Sequence, residues 1–388
     1  MKITKIYLLG CLSLVFLLSA CGGGDSGSSG SSSSNSSAPS LSGAKIKNAY
    51  IDSRFEMPGN SASNVNPKLD DLKAIGYNAV TFGVEVPIDV RTGQVNTSNS
   101  MGLPADLWVE VDYAHSIGLN VFIKCYISRA FMLDGSRDMG DADITSNVQL
   151  GPGVTIDQVF SAAAAYEKTI AAQAQAHGVN AFYIGSGNYG YDSGNYSSYW
   201  QSIINSVQSV YKGPIGYYAP YDNIVFGMVN LVEFKVNPII SSSPMYDVSS
   251  IVNGYATAPY YSSGISYLQQ INNMISKYAG KIFLLAYSAD AFTQGVGTTT
   301  GAWGLFLSNP TSLTNYSPNN AQQAASYQAS IQVAKNVGAN GITIYEYDPW
   351  AAVQTSPAWK QLDLLGADLW FKPTVNAAIS NYFKAVGW

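Results

Sequence analysis

The chain has 388 residues, 20 Lys and Arg against 25 Asp and Glu, and a formal net charge of −5. No basic run interrupts the acidic balance, so nucleic acid is not an expected partner. Of its 3 cysteines, Cys11 and Cys21 fall in the N-terminal leader and Cys125 stands alone, so neither an intrachain disulfide nor a cysteine zinc cluster is expected.

In chain order, Lys2 and Lys5 precede the apolar run "IYLLGCLSLVFLL", which ends in "LSAC", Leu18 to Cys21. A basic start, a short apolar run and small residues make a secretory signal, and the run is shorter than a spanning helix requires. "LSAC" resembles the bacterial lipobox, which implies cleavage before Cys21 and lipid on its new N-terminus. Gly22 after that cysteine favours the outer membrane. The Gly/Ser-rich stretch that follows has nothing to bury and reads as a flexible tether. The expected division is a signal peptide over 1–20, a tether over 21–43 and one globular domain over 44–388.

Eight apolar runs within that domain predict strands: 45–52, 78–86, 119–127, 179–185, 214–219, 229–236, 281–288 and 340–347. Several are apolar along most of their length, as strands covered on both faces are. "DLKAIGYN", "YAHSIGLN", "AQAHGVN" and "VAKNVGAN" each end a helical pattern in a glycine and lead into a strand. Repeated helix, glycine and strand predict βα units, and eight of them predict a closed (β/α)8 TIM barrel of the α/β class. A doubly wound open sheet is the alternative, although no phosphate-cradling glycine fingerprint follows the first strand. "PYDNIVFGM" is short for a crossover between the fifth and sixth strands.

Chemistry in such a barrel sits at the C-terminal ends of the strands. His115 and His177 each precede a strand, at the opposite face, so a histidine-based triad or metal site is not expected. No cofactor and no metal are called for. Cys125, beside Lys124, reads as a buried, inert thiol. Lys124 lies within a strand, where its charge requires an acid or the open barrel mouth. The strand ends collect Asp52, Glu56, Glu85, Asp89, Arg129, Asn188, Asp192, Tyr218, Asp222, Glu233, Tyr287, Asp290, Glu346, Asp348 and Trp350. Aromatic rings with amides and carboxylates suit a carbohydrate, although many of the 27 tyrosines must serve packing.

Several segments resemble, in order, the β-mannanase-like barrels of glycoside hydrolase family 113 and its clan A relatives. "VFSAAAAYEKTIAAQAQAHGVNAFYIGSG" is similar to the helix and fourth strand that end in the acid/base glutamate. "SYWQSIINSVQSVYKGPIGYYAPYD" is similar to the next helix and strand. "GKIFLLAYSADA" looks like the seventh strand, which ends in the nucleophile. "NNAQQAASYQASIQVAKNVGANGITIYEYDPW" resembles the last helix and eighth strand, and "ADLWFKPTVNAAISNYF" the closing segment. The resemblance implies a glycosidase barrel, yet it places Gly187 at the acid/base position and Tyr287 at the nucleophile position. A retaining glycosidase needs two carboxyl groups about 5–5.5 Å apart.

Three readings follow. The barrel binds β-linked polysaccharide without catalysis, as a pseudoenzyme, with Asn188, Tyr218, Tyr287, Trp350 and Glu85 contacting sugar. Alternatively, Glu346, Asp290 or Asp192 have taken over hydrolysis. In the third, the barrel is a structural part of an envelope complex. Tyr345 and Tyr347 flank Glu346, so alternation predicts that either the pair or Glu346 faces inward.

Overall fold

The computed structural model describes residues 41, 45–53, 61–97, 103–131, 133, 147–188, 190–261, 263–291, 296, 313, 315–349 and 355–388. The predicted signal, Cys21 and the tether lie outside the described residues, except Leu41, which is half-buried against the inner cluster of the barrel. Eight barrel strands and ten α-helices follow one another along them: β1 (Ile46–Ile51), α1 (Ala62–Ile75), β2 (Ala79–Asp89), α2 (Leu107–Ser116), β3 (Asn120–Phe131), α3 (Ile156–Ala176), β4 (Ala181–Ser186) and α4 (Ser197–Gln208). They continue through β5 (Ile215–Ala219), α5 (Ile224–Met228), β6 (Leu231–Lys235), α6 (Val248–Thr257), α7 (Tyr267–Lys277), β7 (Ile282–Ser288), α8 (Asn320–Asn336), β8 (Gly341–Tyr347), α9 (Pro357–Leu365) and α10 (Pro373–Ala385).

Each strand pairs in parallel with the next, and β1 pairs with both β2 and β8, which closes the barrel. The two-residue strand Gln94–Val95 adds an antiparallel edge to the end of β2. At the β1–β8 seam a side chain on Gly341 would lie 2.2 Å from the Ile46 carbonyl oxygen, so the close approach requires glycine. The predicted helix stops are real turns: Gly76, Gly118, Gly178 and Gly338 all hold positive φ, where a β-carbon is unfavourable. The short crossover between β5 and β6 is met by α5, five residues long, whose Asn223 side chain accepts a 3.1 Å hydrogen bond from Phe226 N.

Strand alternation divides the core into two layers. Outward strand side chains such as Tyr217 pack against the helices, whose Trp200, Tyr255 and Tyr327 are among the most buried residues. Inward side chains fill the lumen: Ile46, Tyr50, Phe122, Tyr126, Tyr183, Tyr218, Leu284 and Tyr345 form one cluster. A polar layer crosses it, in which Asn48 Nδ2 donates to Thr81 Oγ1 at 2.7 Å and to Thr343 Oγ1 at 3.0 Å. The lumen is packed solid at this level, as in other barrels of eight strands.

Candidate functional site

At the centre of the lumen Lys124 of β3 meets Glu233 of β6. Lys124 Nζ lies 2.9 Å from Glu233 Oε2, and neither side chain has any exposure. Lys124 Nζ also donates to the Tyr345 hydroxyl, which in turn lies 3.4 Å from Glu233 Oε1. A buried ammonium is tolerated only when paired and hydrogen-bonded, and these two partners supply that. Aromatic faces complete the enclosure. Lys124 Nζ sits 4.2 Å from the Tyr218 ring centroid, 4.8 Å from Tyr183, 4.9 Å from Tyr345 and 5.4 Å from Tyr50.

The rings make a stacked floor. Tyr345 lies between Tyr50, at 4.3 Å, and Tyr218, at 5.6 Å, and Tyr50 meets Tyr126 edge-on at 6.2 Å. Gly216 makes room for it, because a β-carbon there would lie 2.9 Å from the Tyr183 ring. Tyr126, Tyr218 and Tyr345 keep 6–8% exposure, while Lys124 and Glu233 keep none. These rings thus retain slight exposure while the ion pair is closed off, and the Tyr345 hydroxyl is turned to the ion pair. Burial raises the Tyr183 and Tyr345 hydroxyls well above the usual phenol range, with the nearby Glu233 charge adding to it. They act as neutral hydrogen-bonding groups.

Among the residues singled out from the sequence, Tyr218 lies in this floor. Glu85, 1% exposed, is on the inward side of β2 by alternation from Ala79, and its register partner on β3 is Tyr126. Asn188 is buried above β3, with its Nδ2 donating to Ile127 O at 3.3 Å and its backbone N–H to the Tyr217 hydroxyl at 3.1 Å.

Tyr287 does not line the lumen. It is 3% exposed and packs edge-on against Tyr327 of α8 at 5.6 Å, with hydrogen-bonding neighbours Ser326 and Tyr255 on the helix layer. The inward positions of β7 are Leu284, Ala286 and, by alternation, Ser288. Asp192 is likewise drawn into the outer layer. Its Oδ2 accepts from Tyr221 at 2.5 Å and from Tyr217 at 3.4 Å, and burial raises its carboxyl above the usual range. Asp290, half-buried beyond β7, faces Tyr287, Tyr327 and Lys372 electrostatically.

The tyrosines around Glu346 separate, against simple alternation. Tyr345 enters the lumen, whereas Tyr347 packs outward, its hydroxyl 2.8 Å from Asn376 Oδ1 and 3.2 Å from the Tyr77 hydroxyl. The register of β1 against β8 shifts at this point, which allows both directions. Glu346 between them is half-buried. Trp350 and Glu56 lie outside the described residues. His177 stacks on Trp108 at 4.9 Å and pairs with Asp112 at 2.8 Å, away from the strand C-termini. Cys125 is fully buried, and burial raises its thiol well above the usual range.

Sequence reasoning weighed Lys124 for a structural ion pair but did not connect it to Glu233, nor name Tyr50, Tyr126 and Tyr183 as its enclosure. The signal was available. Each lies at an inward position of its strand, one residue in two from the others of the inner layer.

Known proteins agree with this architecture. Residues 63–351 match Glycoside Hydrolase Family 113. A GH113 β-1,4-mannanase superposes with a TM-score of 0.63 at 16% identity, over 88% of this chain and 99% of that one. The GH113 β-mannanase AaManA from Alicyclobacillus acidocaldarius, in complex with ManMIm, superposes with a TM-score of 0.64 at 12% identity, over 89% and 99%. A GH2 β-galacturonidase from Eisenbergiella tayi gives 0.51 at 14% identity, over 88% of this chain and 51% of its own. Identities this low show a common fold. Among curated proteins no sequence matches. The family match spans β2 to β8 and three quarters of the chain, and the chain belongs to glycoside hydrolase family 113.

Proposed function

We propose that this barrel binds β-linked polysaccharide at its mouth and does not cleave it, held to the cell envelope by lipid on Cys21 and the tether over 21–43. The carrying observation is the chemistry at two strand ends. Gly187 follows β4 with φ +47, a left-handed conformation that a β-carbon disfavours. At the end of β7, Ser288 takes the inward direction while Tyr287 is packed against the helices. No Asp or Glu occurs within two residues of Gly187 or Tyr287. A retaining mechanism requires one carboxyl group at each place. The acids nearby have other duties: Glu233 holds Lys124, and Asp192 is tied to Tyr217 and Tyr221.

A floor of phenols supports binding. Tyr126 and Tyr218, slightly exposed, offer aromatic surface to a neutral polyol, and Tyr345 stacks against Tyr218 with its hydroxyl held by the ion pair. The partner is a polysaccharide or oligosaccharide. The location is the outer membrane, through the lipid anchor.

A second reading has one observation in its favour. Glu346 and Asp290 are both half-buried, at the ends of adjacent strands β8 and β7. They are the acids best placed for a relocated hydrolysis. One experiment separates the two readings: titration of the full chain with mannan, glucan and galactan, with reducing-end release measured on the same samples. Binding without release is expected. Release that disappears on Glu346→Gln or Asp290→Asn replaces binding with catalysis, and absence of both binding and release leaves an envelope scaffold.

A further inference from the structure

The barrel strands run parallel, so the turns that lead from helix to strand share the face opposite the strand C-termini. That face gathers lysines that are scattered in the sequence. Lys73, Lys335 and Lys384 lie in the last turns of α1, α8 and α10. Lys212 follows α4, Lys45 and Lys47 stand at the start of β1, and Lys281 precedes β7.

Backbone carbonyls of the same face hold them. Lys73 Nζ donates to Gly118 O at 2.9 Å, and Lys45 Nζ to Ala339 O at 2.6 Å. Lys47 Nζ donates to Trp388 O at 3.1 Å, and Lys335 Nζ to Val386 O. An ammonium has three donors, so such a bond leaves N–H groups for other acceptors. Lys45, Lys73, Lys212, Lys335 and Lys384 are exposed. A helix C-terminus favours a cation, which accounts for the lysines in last turns. It does not account for Lys45 and Lys47.

Few carboxylates answer this charge. Asp112 pairs with His177 at 2.8 Å, Asp70 accepts from the Tyr113 hydroxyl at 2.8 Å, and Asp222 is matched by Lys277 at 2.5 Å. Asp52, Asp89, Asp247, Asp290, Glu346 and Asp348 stand at the other face, at strand C-termini or a helix start. A chain of net charge −5 thus presents one basic face. The segment before β1 reaches the barrel there, with Leu41 half-buried against the inner cluster. A flexible Gly/Ser-rich tether from Cys21 to Leu41 has a mean span of roughly 25 Å. Lipid on Cys21 would keep the lysine face, not the mouth, close to a bilayer.

We propose that the lysine face docks on the anionic phospholipid surface of the membrane that carries the anchor, turning the strand C-termini away from it. This rests on the envelope-anchor reading above and adds an orientation to it. Phosphate headgroups supply acceptors for the ammonium groups that face water. The attraction acts within a Debye length, about 8 Å at physiological salt, so docking is salt-sensitive.

The test adds the lipidated protein to phosphatidylcholine vesicles and, separately, to phosphatidylcholine vesicles containing phosphatidylglycerol. Flotation is followed, and acetylation by neutral N-acetoxysuccinimide is read at each lysine by mass spectrometry. Flotation with both is expected, with Lys73, Lys212, Lys335 and Lys384 acetylated about fivefold more slowly on the anionic vesicles at low salt. Lys168 and Lys360, exposed elsewhere, should not change, and high salt should erase the difference. The triple variant Lys73→Gln, Lys212→Gln, Lys335→Gln, once its thermal unfolding matches the wild type, should lose most of the protection at Lys384. Equal acetylation of the four lysines on both vesicles overturns the docking face and, with flotation kept, leaves the anchor intact. Flotation with the anionic vesicles alone retires the anchor and keeps the face, whereas flotation with neither overturns both. Undiminished protection of Lys384 in the triple variant overturns an electrostatic face.

Discussion

The barrel centre and the helix layer beside it bury ionisable groups equally completely and treat them differently. In the lumen Lys124 and Glu233 sit 2.9 Å apart, each fully buried, with the Tyr345 hydroxyl between them. In the layer outside, Glu110 of α2 and Glu167 of α3 are also fully buried, and neither carboxyl has a hydrogen-bond partner among the described residues. The lumen solves burial by pairing opposite charges. The helix layer solves it by protonation, since burial pushes Glu110 up to about 7 and Glu167 well above the usual carboxylate range. Burial alone drives a carboxyl toward its neutral form. An opposite charge alongside, as Lys124 has in Glu233, is what lets a buried group stay ionised.

Removing one partner from the lumen breaks that contrast most severely. Glu233→Gln leaves the Lys124 ammonium without its counter-charge in a site closed to water, and a destabilisation of about 3–5 kcal/mol is expected in urea unfolding. The paired change Lys124→Met with Glu233→Leu should cost far less than the sum of the singles. Additive losses would show that the two groups do not act as a pair.

The unpaired acids should behave oppositely. Glu110 has a folded pKa near 7, above its unfolded value of 4.5, with burial the main cause and Asp106 the lesser one. Above pH 7 the carboxyl is ionised in both states and the native state carries the full penalty. As pH falls from about 7 toward 4.5 the native state takes up the proton first, and stability rises. Glu110→Gln should thus be stabilised relative to wild type at pH 8, by at most about 3 kcal/mol, and the advantage should vanish by pH 4.5. A difference between the two proteins that does not depend on pH would contradict a protonated Glu110. Tyr345→Phe gives a smaller effect of about 2 kcal/mol destabilising, the worth of a hydrogen bond to a charged group. Chemical unfolding of this variant beside Glu233→Gln ranks the hydroxyl against the carboxylate.

The fold was legible because its signals are repeated and local. Eight apolar runs, most of them separated by helical patterns of which four end in a glycine, placed β1 to β8 within a few residues at either end. The direction of single side chains at strand ends was less legible. Tyr287 reads as a site residue from its place at the end of β7, yet Ala286 is inward and Tyr287 turns to Tyr327 and Tyr255. A shift of one residue reverses the face, and the sequence carries no mark of it where both faces are apolar. Tyr345 and Tyr347 show the same difficulty at the β1–β8 register shift. Asp192 was legible as an acid near β4, but the hydroxyls that hold it come from β5 and the residue two past its end, Tyr217 and Tyr221, about 30 positions away in the chain. Contacts of that kind follow from the closed barrel and not from local pattern.

The smallest effect belongs at the surface, where water can replace a lost partner. Thr155 starts α3 with a complete capping box: its Oγ1 accepts from Gln158 N at 3.3 Å, and Gln158 Oε1 accepts from Thr155 N at 2.9 Å. α3 carries the buried Glu167 and packs along α4, so its stability is shared with the layer that holds the unpaired acids. Thr155→Ala removes one of the two bonds and exposes an N–H that solvent can satisfy. A loss of about 1 kcal/mol is expected. The site is distant from Glu110 in the chain and acts through the backbone, so the loss should be the same at pH 5 and pH 8. A pH-dependent loss would mean that fraying of α3 changes the burial of Glu167, and that the acids of the helix layer depend on the cap.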